Sequence, residues 1–178
     1  MNLDMFTDRA KGFLQSAQTV AIRLGNQRIS PDHILKALLE DDQGMAAGLI
    51  ERAGGSPKIA VREVDAALDK FPKVSGSGAQ QPPSLDNDAS RLLDQAEQVA
   101  KKAGDNYVTV ERLLLACVLA KGTGVGRILA DAGVTAEALN AAINELRGGR
   151  TADTAGAEDR YDALKKYARD LTQAARDG

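Results

Sequence analysis

Gly104-Asp105-Asn106-Tyr107-Val108-Thr109-Val110-Glu111, running on into Arg112-Leu113-Leu114-Leu115-Ala116, decides how this chain is read. A glycine suited to ending a helix is followed by a short polar turn and a threonine suited to an N-cap. An acidic residue in a first helical turn and an apolar run come next. The same order stands at Gly25-Asn26-Gln27-Arg28-Ile29-Ser30-Pro31-Asp32-His33-Ile34-Leu35-Lys36-Ala37. Gly25 and Gly104 are 79 residues apart, and so are Gly54 and Gly133. The same shift lays Ala10 on Ala89, Leu14 on Leu93, Ala17 on Ala96 and Ala21 on Ala100. It lays Ile29 on Val108, Ser30 on Thr109, Asp32 on Glu111, Leu35 on Leu114 and Ala37 on Ala116. Leu49 falls on Ile128, Ala53 on Ala132 and Ser56 on Thr135. Core positions, stops and caps agree without a gap, which marks an internal repeat.

Outward from these turns, apolar residues recur at helical spacing. Ala10, Phe13, Leu14, Ala17, Ala21 and Leu24 form one stripe, and no stretch alternates as a strand would. Ser30-Pro31 and Ser56-Pro57 set an N-cap hydroxyl before a proline at the first helical position, where a missing N–H costs nothing. The fold class is therefore all-α, with two pseudo-symmetric four-helix repeats packed into one globule and a C-terminal connector helix. The first repeat spans about 5–70, with helices near 5–24, 31–40, 44–53 and 57–70. The second spans about 85–147, with helices near 85–103, 110–120, 124–132 and 136–147. A Gly-, Ser- and Pro-rich link covers 71–84, and a second break over 148–156 reads as a flexible linker. The connector helix is expected over 157–178, where Tyr161, Leu164, Ala168, Leu171 and Ala175 make a narrow apolar stripe.

The 178 residues, 18.8 kDa, suffice for a core without staples. Aromatics are only 3% and tryptophan is absent, so the core must be Leu, Ile, Val and Ala. A net charge of −2 exerts no global pull toward nucleic acid or an anionic membrane, so neither is expected as a partner. No apolar run reaches the ~18–20 residues of a transmembrane helix, and Met1-Asn2-Leu3-Asp4-Met5-Phe6 lacks the form of a secretory signal. One Cys and one His make neither a disulfide nor a structural zinc site, so no metal is expected and a cytoplasmic location is.

Gly122-Thr123-Gly124-Val125-Gly126-Arg127 has a faint likeness to a phosphate loop. It lacks the preceding strand and the Gly-Lys-Ser/Thr that would hold a nucleotide, so an interhelical loop is expected. A small nucleotide-binding enzyme is the weaker alternative reading. Cys117, inside the apolar run 113–119, reads as core, and His33 as a capping or surface residue. Asp105 and Glu111 flank the turn 106–109. Spacing alone favours turn and helix-terminus duty, and the functional alternative is an acidic pair beside an apolar groove. No catalytic residue is proposed, and no cofactor-binding one.

The doubled pattern, with Thr7 near the start, Gly-Asp-Asn-Tyr-Val-Thr-Val-Glu at 104–111 and Leu-Leu-Leu-Ala at 113–116, resembles the Clp N-terminal repeat domain over residues 1 to about 147. The long polar link and the Gly-Asp-Asn turn are most similar to the ClpB type, the AAA+ heat-shock disaggregases. The ClpC type tends to carry Thr-Glu-His-Ile-Leu in both repeats. This chain has Pro31-Asp32-His33-Ile34-Leu35 in the first only and Val110-Glu111-Arg112-Leu113-Leu114 in the second. The segment from Ala157 through Thr172 resembles the lead into the family's first ATPase domain, so the chain is expected to be an N-terminal domain cut before that domain. The resemblance implies a chaperone domain that captures unfolded or aggregated polypeptide for the pore of an ATP-driven homohexamer, in cooperation with the DnaK system. ATP and magnesium would belong to the parent, and the isolated fragment would be a monomer. Family positions implicated in substrate engagement fall on Thr7, Asp105 and Glu111. The alternative on the same fold is an adaptor- or phosphoarginine-binding domain of the ClpC kind.

Overall fold

The structure is a computed structural model and describes residues 3–41, 43–74 and 81–159. The first repeat holds α1 (Asp8–Arg23), β1 (Arg28–Ile29), α2 (Pro31–Leu39), α3 (Met45–Arg52) and α4 (Pro57–Asp69). The second holds β2 (Ser84–Leu85), α5 (Asn87–Lys102), α6 (Val110–Leu119), α7 (Gly124–Asp131) and α8 (Ala136–Arg147). The expected connector helix falls almost wholly outside the described residues, which end in a helical turn at 157–159.

Local chemistry sets the helix starts. The side chains of Thr7, Ser56, Asp86, Thr109, Thr123 and Thr135 each accept a hydrogen bond from the N–H three residues on. At α2, His33 takes part in the cap: its Nδ1 accepts from the Ser30 N–H at 2.9 Å, and its Nε2 meets Asn26 Oδ1 at 2.9 Å. His33 is fully buried, and burial lowers its pKa to about 4. It is a neutral capping residue rather than a surface one. Gly25, Gly54, Gly104 and Gly133 all stand at positive φ just after a helix, where a side chain would be strained.

The repeats exchange contacts as a two-fold pair would. Ile29 pairs with Leu85 in the parallel β1–β2 ladder, and Phe6 bridges Val108, also in parallel. Under the 79-residue shift Phe6 becomes Leu85 and Val108 becomes Ile29, so the two pairings are mates. These two-residue strands are the only departure from an all-helical reading among the described residues. They are too short to carry an alternating pattern. Helices α3 and α8 pack across the interface, as do their mates α7 and α4. Helices α2 and α6 lie at the centre. In α6 every residue from Val110 to Val118 is buried, Cys117 included, and burial pushes its thiol pKa up to about 12. No single described helix is long and apolar enough to cross a membrane.

The segment 148–156, expected as a flexible linker, is bonded to the globule instead. Ala152 is fully buried, and its carbonyl accepts from the N–H groups of Asn106 and Tyr107 at 3.0 and 3.2 Å. The Ala155 carbonyl accepts from Asp8 N–H at 2.9 Å. Glycine and polar composition favours mobility only where no partner satisfies the backbone. The ends of the inter-repeat link are tied similarly. Val74 N–H donates to the Gly25 carbonyl, and Asn26 Nδ2 to the Pro72 carbonyl.

Gly55 is the tightest point of the crossing. A Cβ there would stand 2.7 Å from Val134 Cγ2 and 2.9 Å from the Ala132 carbonyl oxygen. Ser56 N–H donates to that same carbonyl at 2.8 Å. Gly55→Ala is therefore expected to destabilise the domain by about 1–3 kcal/mol through overpacking. Urea unfolding followed by circular dichroism checks this, with Gly44→Ala, where a Cβ would meet nothing within 4 Å, as a comparison for positive-φ strain alone.

Candidate functional site

Thr7, Asp105 and Glu111 come together at one end of the molecule, where the start of α1 meets the turn before α6. They are joined by three side chains that the sequence reading did not select: Arg112, Arg147 and Glu158. Asp105 and Glu111 side chains are 0% exposed, and those of Arg112 and Arg147 are 5% and 2% exposed.

Asp105 is the hub. Its Oδ1 accepts from Arg147 Nη1 at 2.7 Å and from Ala152 N–H at 3.0 Å. Its Oδ2 accepts from Arg112 Nε at 3.1 Å. Arg147 Nη2 reaches Thr109 Oγ1 at 2.9 Å and Glu111 Oε1 at 3.4 Å. Burial alone would raise the Asp105 pKa. The bonds from Arg147 and Ala152, the Arg147 charge and the Arg112 bond outweigh it and hold the carboxyl below its usual range.

Thr7 works at the neighbouring corner. Its hydroxyl caps α1, accepting from Ala10 N–H at 3.1 Å, and donates to Glu158 Oε2 at 2.5 Å. Glu158 Oε2 also accepts from Val110 N–H at 3.0 Å, the first residue of α6. One carboxylate oxygen thus joins two helix starts from different repeats. Glu158 Oε1 is buried with no hydrogen-bond partner among the described residues. Burial, with the Glu111 charge added, raises the Glu158 pKa against the bonds from Thr7 and Val110.

The three residues singled out from sequence are therefore adjacent, but their side chains are turned inward. The sequence does carry a trace of the missing arginine. Arg147 follows Ile143 by four and Leu139 by eight, on the buried face of α8, where an isolated charge needs a buried partner.

Surface that could take a chain meets this cluster only at its edge, where Arg112 borders a hollow of about 580 Å³ and Asp105 a smaller one. A groove of about 340 Å³ runs along α1 and the strand pair, lined by Leu3, Leu14, Ile29, Pro83, Leu85 and Leu93, with Gln15 and Gln18 also on its walls. A smaller cavity of about 140 Å³ lies beside Met5, Glu97, Tyr107 and Val108. The glycines at 122–126 form the α6–α7 turn and the first residues of α7, with Thr123 as cap. They follow helix α6, not a strand.

A doubled four-helix unit closed by short parallel pairings defines a class of helical repeat domain. The family model described as the Clp repeat (R) N-terminal domain matches residues 5–132, and the chain belongs to that family. The chain is 58% identical over all 178 residues to the chaperone protein ClpB of Rhodopseudomonas palustris, and 54% identical to that of Agrobacterium fabrum. It spans about a fifth of the length of these curated relatives (20% of each). The Hsp104 N-terminal domain of Candida albicans superimposes with a TM-score of 0.73 at 24% identity, over 87% of this chain and 99% of that one, and shares the fold. The chain thus corresponds to the N-terminal region of ClpB-type chaperones.

Two outcomes follow from the buried cluster. Arg147→Met strips one of two guanidinium partners from Asp105 and the Arg147 pairing from Glu111, and is expected to cost about 3–5 kcal/mol at pH 7. The deficit should shrink as pH falls below the 3.8 of an ordinary aspartate and Asp105 takes a proton. Urea midpoints at several pH values measure it. Glu158 has the opposite sign. Its folded pKa lies above 4.5, so the stability linked to its protonation is present below pH 4.5 and lost as pH rises through the folded value. Glu158→Gln should therefore melt higher than the parent at pH 7 and lose that part of the pH dependence in differential scanning calorimetry.

Proposed function

We propose that this chain is the polypeptide-capturing N-terminal domain of an ATP-dependent protein disaggregase. The observation that carries the reading is the apolar groove along α1 and the strand pair. Leu3, Leu14 and Leu85 are only partly buried there, packed against a complete core. Apolar side chains lining an open groove suit extended, exposed apolar segments of many sequences, which is what unfolded chains offer. The ClpB relatives point to a chaperone as the parent.

On this reading the domain delivers what it holds to the pore of a homohexameric ring, whose ATP and magnesium belong to other domains. The DnaK system is a further partner, and the compartment is the cytoplasm. Weak binding at each copy suffices, because six copies raise the effective concentration of the captured chain. Thr7, Asp105 and Glu111 act on capture as positioning residues. They lock the start of α1 and the α5–α6 turn, which frame the groove and its smaller neighbour, without offering side-chain surface of their own.

Fluorescence anisotropy of labelled casein against the chain tests this. Saturable binding is expected, weakened about fivefold or more by Leu14→Asn and by Leu85→Asn, each deleting one apolar wall. Asp105→Asn should weaken binding only in proportion to its loss of folded stability. Groove variants that bind as the parent does would sink the reading.

A further inference from the structure

The two repeats set equivalent crevices beside their central helices and finish them with different chemistry. In the first repeat the crevice between α1, α2 and α4 is bridged by charges from its own walls. Arg23 of α1 pairs with Glu40, at the end of α2, at 2.8 Å. Lys36 of α2 pairs with Asp65 of α4 at 2.7 Å and stands 3.6 Å from Glu40.

The 79-residue shift carries Arg23 to Lys102, Lys36 to Leu115, Glu40 to Leu119 and Asp65 to Asn144. Both acids are lost and the α1 cation is kept. His33, the buried cap of α2, becomes Arg112. In place of a bridged crevice, α5, α6 and α8 border an open hollow of about 580 Å³. Val99, Leu115 and Leu119 give it an apolar wall, and Gln98 and Asn140 add amides.

Two cations border this hollow without an acid of the chain to close it. Lys102 is exposed and makes no ion pair with a described residue. The Arg112 side chain is 5% exposed. Its Nε is taken by Asp105 and its Nη1 by Asn140 at 3.3 Å, while Nη2 has no hydrogen-bond partner among the described residues. Asp105 is itself shared with Arg147. The one acid on the walls, Glu137, is exposed in the first turn of α8, where the helix dipole answers it.

We propose that this hollow receives an aspartate or glutamate side chain of a polypeptide, with its carboxylate on Arg112 Nη2 and Lys102 and its apolar neighbours on Val99, Leu115 and Leu119. Charge complementarity identifies the occupant: the mate crevice meets its cations with Glu40 and Asp65, and here the equivalent carboxylate comes from outside. The hollow is open rather than enclosed, so it suits a side chain within a passing segment and not a chain terminus. Its volume lies within the range of roughly 300–1,000 Å³ usual for ligand sites. It shares no lining residue with the groove along α1, so the inference stands apart from capture in that groove.

The experiment uses the 178-residue chain and three labelled peptides sharing one apolar core. Two have amidated C-termini and a central glutamate or glutamine; the third is the glutamine peptide with a free terminal carboxylate. By anisotropy at low salt the glutamate peptide should bind roughly tenfold tighter than its glutamine counterpart, the size of one charge-assisted hydrogen bond. Arg112→Gln should erase the gap, but it also removes a partner of Asp105. Two variants therefore leave that cluster intact. Lys102→Glu reverses an exposed charge, and Leu119→Glu installs the acid that the mate crevice carries at Glu40. Each should erase the gap, with folding checked by circular dichroism. Equal binding of the glutamate and glutamine peptides, or a gap that survives both variants, overturns the inference. A free-terminus glutamine peptide that binds as tightly as the glutamate one overturns the assignment to a side chain. Failure of all three to bind overturns the hollow as a site, while casein binding in the α1 groove is read independently.

Discussion

Everything in this domain depends on two short parallel backbone pairings, Phe6 with Val108 and Ile29 with Leu85. A four-helix unit of this size has too little interior to bury its own apolar faces. Each repeat therefore closes on the other, and the pairings fix the register of that closure. They bring the N-terminus of a helix from one repeat beside the N-terminus of a helix from the other, twice over. Four helix starts, each with unbonded N–H groups and a positive dipole end, must then be satisfied in a crowded interior. The buried acids Asp32, Glu111 and Glu158 stand at or against those starts.

The cost of that arrangement is visible in its charges. Asp105, Glu111, Arg112 and Arg147 are withdrawn from water, and pairing in such a place contributes less to stability than an apolar core of the same volume would. What the network does accomplish is specification. Arg147 from α8, Asp105 from the turn after α5 and Ala152 from the segment beyond α8 can meet in only one arrangement. The chain leaving the domain is thereby fastened to the same corner that fixes the start of α1. Glu158 of that exit segment is bonded to Thr7 and to Val110, by one hydrogen bond each.

The sequence made the helices legible because their ends are written in local chemistry. Helix α8 was expected at 136–147 and spans Ala136–Arg147, between a Thr135 cap and a Gly148 stop. Helix α1 was expected from residue 5 and starts at Asp8, because Thr7 caps it and Phe6 is taken up by a cross-repeat bridge. What was not legible rests on long-range partners. Thr7 and Glu158 are 151 residues apart, and nothing in the Gly-rich approach to Ala152 announces a fully buried residue. The direction of Asp105 was equally hidden. An aspartate in a polar turn faces water by default, and only the inward-pointing Arg112 and Arg147 reverse that.

The repeat offers a further argument through its imperfections. Two copies of one unit begin with the same chemistry at both helix junctions, so each departure from symmetry must be accommodated by folding or by function. At the Glu158 junction the departures accumulate toward internal satisfaction: a hydroxyl, a free N–H and an arginine converge on acids supplied by the chain itself. At the Asp32 junction they run the other way, toward three carboxylates, a proline without an N–H and a leucine in place of the arginine. An unpartnered buried carboxylate opposes the native state while it is charged, and Asp32 answers by holding its proton more tightly than an ordinary aspartate does. One junction is thus sealed by an acid of the chain itself, and its mate is not.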